Sequence, residues 1–214
     1  MEQNWKEQIK RYYNQEAALR DSNAARPDWK ADFRRDFLDR ALRDGKKTLL
    51  ELGPGPGHDS LFFQDGGLRV TAVDLSPEMV RRCRDKGVEA YELDFYRLPD
   101  LGRTFDCLYT LNALVHVRRE DLRRVLMGMD AVLAPEGLVC IGVYAGDEDR
   151  ETCWVREDVS DAERYFLFCS RQTLLPLLEE RFQVLSFQTL PVGDRGDAFH
   201  SILLRKGSYA CPSV

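Results

Sequence analysis

The segment Glu51-Leu52-Gly53-Pro54-Gly55-Pro56-Gly57-His58 limits what this chain can fold into more than any other stretch. It closes the apolar run Thr48–Leu52, which reads as a short buried strand. Three alternate glycines leave bare backbone at the strand's carboxyl end, and a helix begins just after them. A strand, loop and helix in that order require a parallel neighbour reached by a crossover. Candidate neighbours follow. Arg69–Asp74 is a second strand, and Ser76-Pro77-Glu78 starts a helix that stops at Gly87. Ser supplies the capping oxygen, Pro fits the first turn, and Glu suits the positive end of the dipole. Val88–Asp94 and Phe105–Asn112 read as third and fourth strands. Glu120–Leu133 repeats apolar residues at helical spacing, and Pro135-Glu136-Gly137 turns the chain into a fifth strand, Leu138–Tyr144.

The rhythm changes near the end. After a helix at Arg171–Arg181, the runs Gln183–Leu190 and Ala198–Lys206 are too close for a crossover helix, so they pair antiparallel. The expected fold class is α/β, a doubly wound, mostly parallel seven-stranded sheet with an antiparallel last strand. Asn4–Arg43 is helical in character, interrupted near Pro27, and supplies an N-terminal helical cap. The expected division is a cap or lid at 1–46, a core at 47–206 and a flexible tail at 207–214. Within the core, the connection 144–170 is expected to act as a lid over the substrate.

Composition excludes several classes of function. The chain has 214 residues, 43% of them apolar, with 31 basic and 36 acidic side chains and a net charge of −5. A mildly acidic chain opposes a phosphate backbone unless it carries a local basic patch. Arg34-Arg35, Arg81-Arg82, Arg118-Arg119 and Arg123-Arg124 are dispersed among acids and read as solvated helix faces, so no nucleic-acid partner is expected. The longest run free of Asp, Glu, Lys and Arg is Phe182–Gly193, which falls short of the ~20 apolar residues of a membrane helix. Met1–Arg20 is charged throughout and lacks the apolar stretch of a secretory signal. The expectation is a cytoplasmic protein without membrane contact, monomeric or homodimeric. None of the six cysteines forms a C-x-x-C pair, so no metal site is expected; in apolar runs Cys serves as a small hydrophobe. The terminal Cys211-Pro-Ser-Val lacks the aliphatic pair of a prenylation box.

Two ligand classes suit a glycine loop followed about 20 residues later by an acidic strand end. One is a dinucleotide; the other is S-adenosylmethionine, which has no phosphate. Pro54 and Pro56 remove two backbone N–H donors that a pyrophosphate would use, and His58 stands where the dinucleotide fingerprint places its last glycine. Glu51 would repel a pyrophosphate and suits a cation. Asp74, at the tip of the second strand, can accept both ribose hydroxyls. Asp94 ends the third, where it can accept from an adenine amino group with Phe95 beside the ring.

Over roughly Lys47–Lys206 the chain resembles the class I, seven-stranded S-adenosylmethionine-dependent methyltransferases of small-molecule type. The resemblance rests on E-L-G-P-G-P-G, V-D-L-S-P-E-M, E-L-D-F, L-N-A-L-V-H-V and L-A-P-E-G-L-V-C-I-G. In the last of these Glu136 replaces the first glycine of the family's usual turn. It implies an enzyme with S-adenosylmethionine as cofactor and Glu51 or its neighbours near the methionine amino group. It also implies Asp74 on the ribose, Asp94 and Phe95 on the adenine, and Leu111 and Asn112 flanking the cofactor. Gly53, Gly55, Gly57 and Leu75 complete that set. Tyr13 joins it from the cap, resembling a tyrosine that many small-molecule methyltransferases place over the cofactor.

Methyl transfer from a sulfonium is an in-line displacement, in which the protein aligns the nucleophile and excludes water. A general base is needed only where the acceptor must lose a proton. His116, just past the fourth strand, is the candidate; His58 suits the cofactor or a cap, and His200 a structural role. Substrate contacts are expected from Tyr12 and Trp29 of the cap and from Tyr144, Trp154 and Tyr165 of the connection after strand five. Asp147, Glu148 and Asp149 could attract an amine, although a solvated turn is the better reading. There is no N-P-P-Y-like motif, no Pro-Cys nucleophile of the cytosine-C5 kind and no adjacent cysteine pair. The expected reaction is methyl transfer to an oxygen or nitrogen of a small metabolite or natural product. The alternatives are a catalytically silent cofactor-binding subunit and an NAD(P)-dependent oxidoreductase.

Overall fold

The computed structural model of the chain describes residues 4–23, 28–192 and 197–207. The interruption near Pro27, Cys211 and all but Gly207 of the 207–214 tail lie outside them. Two helices, α1 (Asn4–Ser22) and α2 (Asp28–Arg43), precede the sheet. β1 (Thr48–Leu52), α3 (His58–Asp65), β2 (Arg69–Asp74), α4 (Pro77–Asp85), β3 (Glu89–Glu92) and β4 (Phe105–Leu111) then alternate. They are followed by α5 (Leu122–Ala131) and β5 (Leu133–Ala145). A hairpin of β6 (Arg150–Arg156) and β7 (Ser160–Phe168) comes next, then α6 (Arg171–Glu179), β8 (Phe182–Val192) and β9 (Asp197–Lys206).

Seven strands form one sheet in the order β3-β2-β1-β4-β5-β9-β8. β1 pairs parallel with both β2 and β4, and the chain order reverses across it. That reversal opens a crevice at the carboxyl ends of the strands, where ligands bind in open α/β sheets. β9 runs antiparallel between β5 and β8, as the short link requires. Alternation in β1 sends Leu49 to one face and Leu50 and Leu52 to the other. Leu49 joins Phe37, Leu38, Phe63, Val80 and Tyr109 in a cluster that binds α2, α3 and α4 to the sheet. Leu50 and Leu52 join Leu126, Met129, Leu174 and Leu178, which bind α5 and α6 to the opposite face.

Local chemistry moves several boundaries. β3 ends at Glu92 rather than Asp94, because the Asp94 carboxylate turns to accept from the Tyr96 N–H at 3.1 Å and caps a 3₁₀ segment, Phe95–Leu101. The helix expected from Glu120 begins as a 3₁₀ turn, Arg119–Asp121, before α5. β5 starts before its expected turn: Phe105 pairs with Leu133 and Cys107 with Leu138, so the Pro-Glu-Gly segment is a bulge inside the strand. Glu136 sits there at φ 58, a left-handed conformation usual for glycine, and its carbonyl accepts from Lys46 Nζ at 2.7 Å. The connection 144–170 is the largest departure. It carries the β6–β7 hairpin, which stands over the carboxyl edge of the sheet beside α1. The cap is also divided: α2 is a layer of the core from which Lys30 reaches the crevice, and α1 spans the crevice.

Candidate functional site

A cavity of about 500 Å³ opens where the carboxyl ends of β1, β2 and β4 meet the underside of α1 and the hairpin. Its floor comes from the strand ends. Gly53 has φ 69, and a Cβ there would collide with the Ala113 methyl, so only glycine lets the two loops close up. Gly55, at φ 56, has open space where a Cβ would stand and exposes its backbone to the cavity. Two of the loop's glycine N–H groups are already used. Gly53 donates to the Val73 carbonyl at 2.9 Å and Gly57 donates to Pro54 at 3.2 Å, while Gly55 stands close enough to the Asp74 carboxylate to stabilise its charge. With two prolines between them, the loop has few backbone donors left for a phosphate.

The floor presents acceptors instead. Asp74 is held by the Ser76 N–H at 2.8 Å, while burial pushes its pKa up to about 6 against the opposing pull of that bond and those from Gly55 and Leu75. Asn112 sits at φ 57 with its N–H bonded to the Gly142 carbonyl at 2.7 Å. Its buried Oδ1 has no hydrogen-bond partner among the described residues. Leu75, Asp94, Phe95 and Leu111 also line the cavity. Lys6 of α1 reaches the Asp94 carboxylate at 2.6 Å and lies 3.4 Å above the Tyr96 ring.

The roof comes from α1 and the hairpin. Trp5, Ile9 and Tyr13, spaced one helical turn apart, face down from α1. Tyr13 meets His116 at the cavity wall, with 2.6 Å between its hydroxyl and His116 Nε2. His116 Nδ1 lies 2.7 Å from the Tyr165 carbonyl, which can only accept, so Nδ1 carries the hydrogen. Nε2 of the neutral ring is then an acceptor, and the Tyr13 hydroxyl donates to it. Burial pushes the His116 pKa down to about 4; the Tyr165 carbonyl opposes this, and the charges of Arg164 and Arg20 add to it.

On β7 the pattern Ala162-Glu163-Arg164-Tyr165-Phe166-Leu167-Phe168 alternates by side. Arg164, Phe166 and Phe168 line the cavity with Trp154 from across the hairpin. Arg164 is only 7% exposed, and no carboxylate among the described residues lies within ion-pair distance of it. Its guanidinium stands 3.9 Å above the Tyr12 ring and 5.1 Å from that of Phe166, and its Nε has no hydrogen-bond partner. Cation–π contacts of this kind stabilise by about 1–2 kcal/mol, whereas desolvating an ion costs several kcal/mol.

Of the residues singled out in the sequence, Tyr13, Gly53, Gly55, Asp74, Leu75 and Asp94 line one cavity. Phe95, Leu111, Asn112, His116, Tyr144 and Trp154 line it too. Others lie elsewhere. Tyr12 is fully buried one position round α1, where its hydroxyl donates to Glu16 at 2.9 Å. Trp29 packs on Phe199 with 4.6 Å between rings, and its neighbour Lys30 reaches the cavity instead. Tyr165 has the wrong strand parity; its ring turns to Trp5, its hydroxyl donates to Glu151, and only its carbonyl serves the site. Glu51 is buried behind the loop and accepts from the Ser60 hydroxyl, and Gly57 packs on Cys83 of α4. Asp149 accepts from the Ser170 N–H at 2.7 Å and from the Thr173 hydroxyl at 2.6 Å, a structural use at the start of α6. Lys6, Arg20 and Arg164 were missed. Arg164 was marked by the two-residue alternation that places it with Phe166 and Phe168.

Residues 49–137 match a family model described as a methyltransferase domain. A malonyl-[acyl-carrier protein] O-methyltransferase of Halorhodospira halophila is 28% identical over 164 residues, 71% of this chain and 55% of that protein. The chain spans about half the length of the curated relatives it matches. Among solved structures, the DhpI complex with SAH superposes with a TM-score of 0.72 at 23% identity, covering 97% of this chain and 99% of that one. Burkholderia thailandensis 1,6-didemethyltoxoflavin-N1-methyltransferase, solved with 1,6-didemethyltoxoflavin and S-adenosylhomocysteine, gives 0.63 at 24% identity over 86% of this chain and 91% of that one.

Proposed function

We propose that this chain, a methyltransferase domain of the class I, seven-stranded fold, transfers a methyl group from S-adenosylmethionine to an oxygen or nitrogen of a small molecule. The observation that carries this reading is the hydrogen-bond character of the cavity floor. The glycine loop lacks two donors at its prolines and uses two more internally, while Asp74, Asp94 and the orphaned Asn112 Oδ1 present acceptors. A ligand rich in donors and bearing positive charge fits that floor, and a pyrophosphate does not. S-adenosylmethionine offers an ammonium, two ribose hydroxyls and an adenine amino group; when bound it supplies an activated methyl group on sulfur.

The chain's own residues divide the remaining work. Asp74 holds the diol, Asp94 the amino group with Phe95 beside the ring, and Gly55 lets the ligand approach the backbone. α1 and the hairpin exclude water. His116 is unprotonated at neutral pH and its Nε2 is taken by Tyr13, so it acts through that hydroxyl: Tyr13 receives the acceptor's proton while passing its own to Nε2.

A cavity of about 500 Å³ roofed by α1 and the hairpin favours a small acceptor over nucleic acid. The arginine pairs point the same way: Arg34 is bound to Asp59, Arg81 to Glu78 and Asp85, Arg119 to Asp149, and Arg123 to Glu180. Among the described residues no helix is long and apolar enough to cross a membrane. A cytoplasmic monomer or homodimer remains the proposed setting.

Calorimetry with S-adenosylmethionine and S-adenosylhomocysteine tests the cofactor; binding of NAD and of neither of these would refute it. Labelled-methyl transfer into a metabolite extract tests turnover, and tight cofactor binding with no labelled product in any fraction would favour the silent subunit. His116→Ala is expected to lose turnover while keeping cofactor affinity. Full activity in that variant removes His116 from the mechanism.

A further inference from the structure

We propose that the methyl acceptor carries a carboxylate or phosphoryl group that docks on Arg164, next to the hydroxyl or amine that receives the methyl group. The inference rests on the methyltransferase reading and names the substrate class for the same site. Lys6, Lys10 and Arg20 line the same cavity, and each has a carboxylate partner: Asp94, Glu92 and Glu16. Arg164 has none among the described residues, although it is far more buried than Arg20, and its Nε is unsatisfied. Glu16 cannot serve it, being shared already among Tyr12, Arg20 and Arg156. A buried guanidinium facing a cavity is completed by an oxyanion with the fork geometry of a carboxylate or phosphoryl group.

The surroundings describe the rest of the acceptor. Trp154 lies 4.6 Å from Phe166 and 5.5 Å from Phe168, ring to ring, so the guanidinium is set in an aromatic wall suited to a flat ring. The atom that is methylated is distinct from the oxyanion. Tyr13 donates to His116, so its oxygen keeps lone pairs that repel an oxyanion and accept from O–H or N–H, the neighbouring Arg164 being one donor within its reach. As the acceptor's oxygen or nitrogen bonds to the methyl carbon, the carbon–sulfur bond breaks with its electron pair staying on sulfur. The acceptor's proton goes to the Tyr13 oxygen and Tyr13's own proton to Nε2 of His116. An oxyanion on Arg164 also offsets part of the positive charge that disfavours a protonated His116.

The test uses the full chain saturated with S-adenosylhomocysteine and titrated with benzoate, phenyl phosphate and the neutral benzamide. At least one oxyanion is expected to bind, at least tenfold more tightly than benzamide, and the tighter of the two decides between carboxylate and phosphoryl. In Arg164→Met that affinity is expected to fall at least tenfold while S-adenosylhomocysteine affinity stays within twofold, which also reports that the variant is folded. Arg164→Lys is expected to regain part of the loss. Benzamide binding as well as the oxyanions, no oxyanion binding, or equal oxyanion affinity in Arg164→Met overturns the proposal. Failure of S-adenosylhomocysteine to bind the unaltered protein overturns the methyltransferase reading instead. The labelled extract gives a second readout: the product is expected to stay on an anion-exchange resin and resist mild base. A neutral product, or a base-labile ester, overturns the proposal.

Discussion

The two N-terminal helices adjoin in sequence and are held in opposite ways. α2 is bound by apolar contact: Phe37 stacks on Tyr109 at 5.6 Å, meets Phe63 edge-on at 5.9 Å, and lies with Leu38 and Ala41 in the core cluster shared with β1, β2 and β4. α1 buries Ile9, Tyr12 and Ala17, none of which joins either core cluster. Beside ring contacts of Trp5 with Tyr165 and of Tyr13 with His116, it is tied to the rest of the molecule by polar tethers. Asp21 pairs with Arg82 at 2.7 Å and Lys86 at 2.6 Å, Lys6 with Asp94 and Arg11 with Asp161, while Ser76 donates to Asn14 at 2.6 Å. Apolar packing is lost only when the core opens, whereas ion pairs are exchanged for water and salt at little cost. The contrast predicts that α2 stays in place and that α1 is the helix released when ligand enters or leaves.

The largest effect should come from the fixed helix. Phe37→Ala removes a ring with 3% exposure from a close-packed cluster and is expected to destabilise the chain by about 3–5 kcal/mol in urea unfolding. A loss below 1 kcal/mol would mean that α2 is as loosely held as α1. Next in size is the cavity floor beneath the movable helix. Asp74→Ala is expected to weaken S-adenosylmethionine binding by about 1–3 kcal/mol, because the ligand's hydroxyls lose a charged acceptor. Unchanged affinity would contradict the ribose role. The same carboxyl sets a pH dependence. Its pKa is raised to about 6 by burial, and a ligand that donates to it favours the ionised form. Affinity should therefore be level above pH 6 and fall below it, approaching a factor of ten per pH unit. The stability term has the opposite sense, since burial penalises the charged form and this group's contribution declines as pH rises from 4 towards 6. Calorimetry between pH 5 and 8 checks the first statement; a flat profile would exclude Asp74 as the titrating contact.

The floor of the site was legible in the sequence and its roof only partly so, for a physical reason. Gly53, Asp74, Asp94 and Asn112 lie at or just past strand ends, and the parallel sheet itself brings strand ends together, so finding the strands found the cavity floor. The roof depends on which side of an element each residue faces. Tyr12 and Tyr13 differ by one position on a helix and Arg164 and Tyr165 by one on a strand, and in each pair only one side chain reaches the cavity. The strand pair could have been resolved from alternation had 144–170 been read as a hairpin. The two helices were indistinguishable because both mix charges and aromatics. What separates them is tertiary: the partners of Asp21 lie on α4, more than 60 positions away, and no local pattern announces such a pairing.

The smallest expected effect is the one that most sharply separates the helices. Asp21→Ala removes both ion pairs to α4, whose members are each about one-fifth exposed. Partly exposed pairs of this kind contribute at most about 1 kcal/mol, so the unfolding midpoint should scarcely move. Hydrogen exchange should nevertheless change in one place, with α1 amides exchanging faster and α2 amides unchanged. Salt should act in the same sense, since at about 1 M the screening length is near 3 Å. Acid should do so as well. Burial raises the Asp21 pKa, but hydrogen bonds from Lys86 and Arg82 outweigh it and hold the carboxyl below its usual value. The contribution of the pairs is therefore present above the ordinary carboxyl range and disappears as pH falls through the lowered value. If α1 and α2 amides respond equally to the substitution, to salt and to acid, then the two helices open together and α1 is no separate lid. If α1 alone responds, the roof opens independently of α2, and the cavity can admit its ligands without disturbing the sheet that forms its floor.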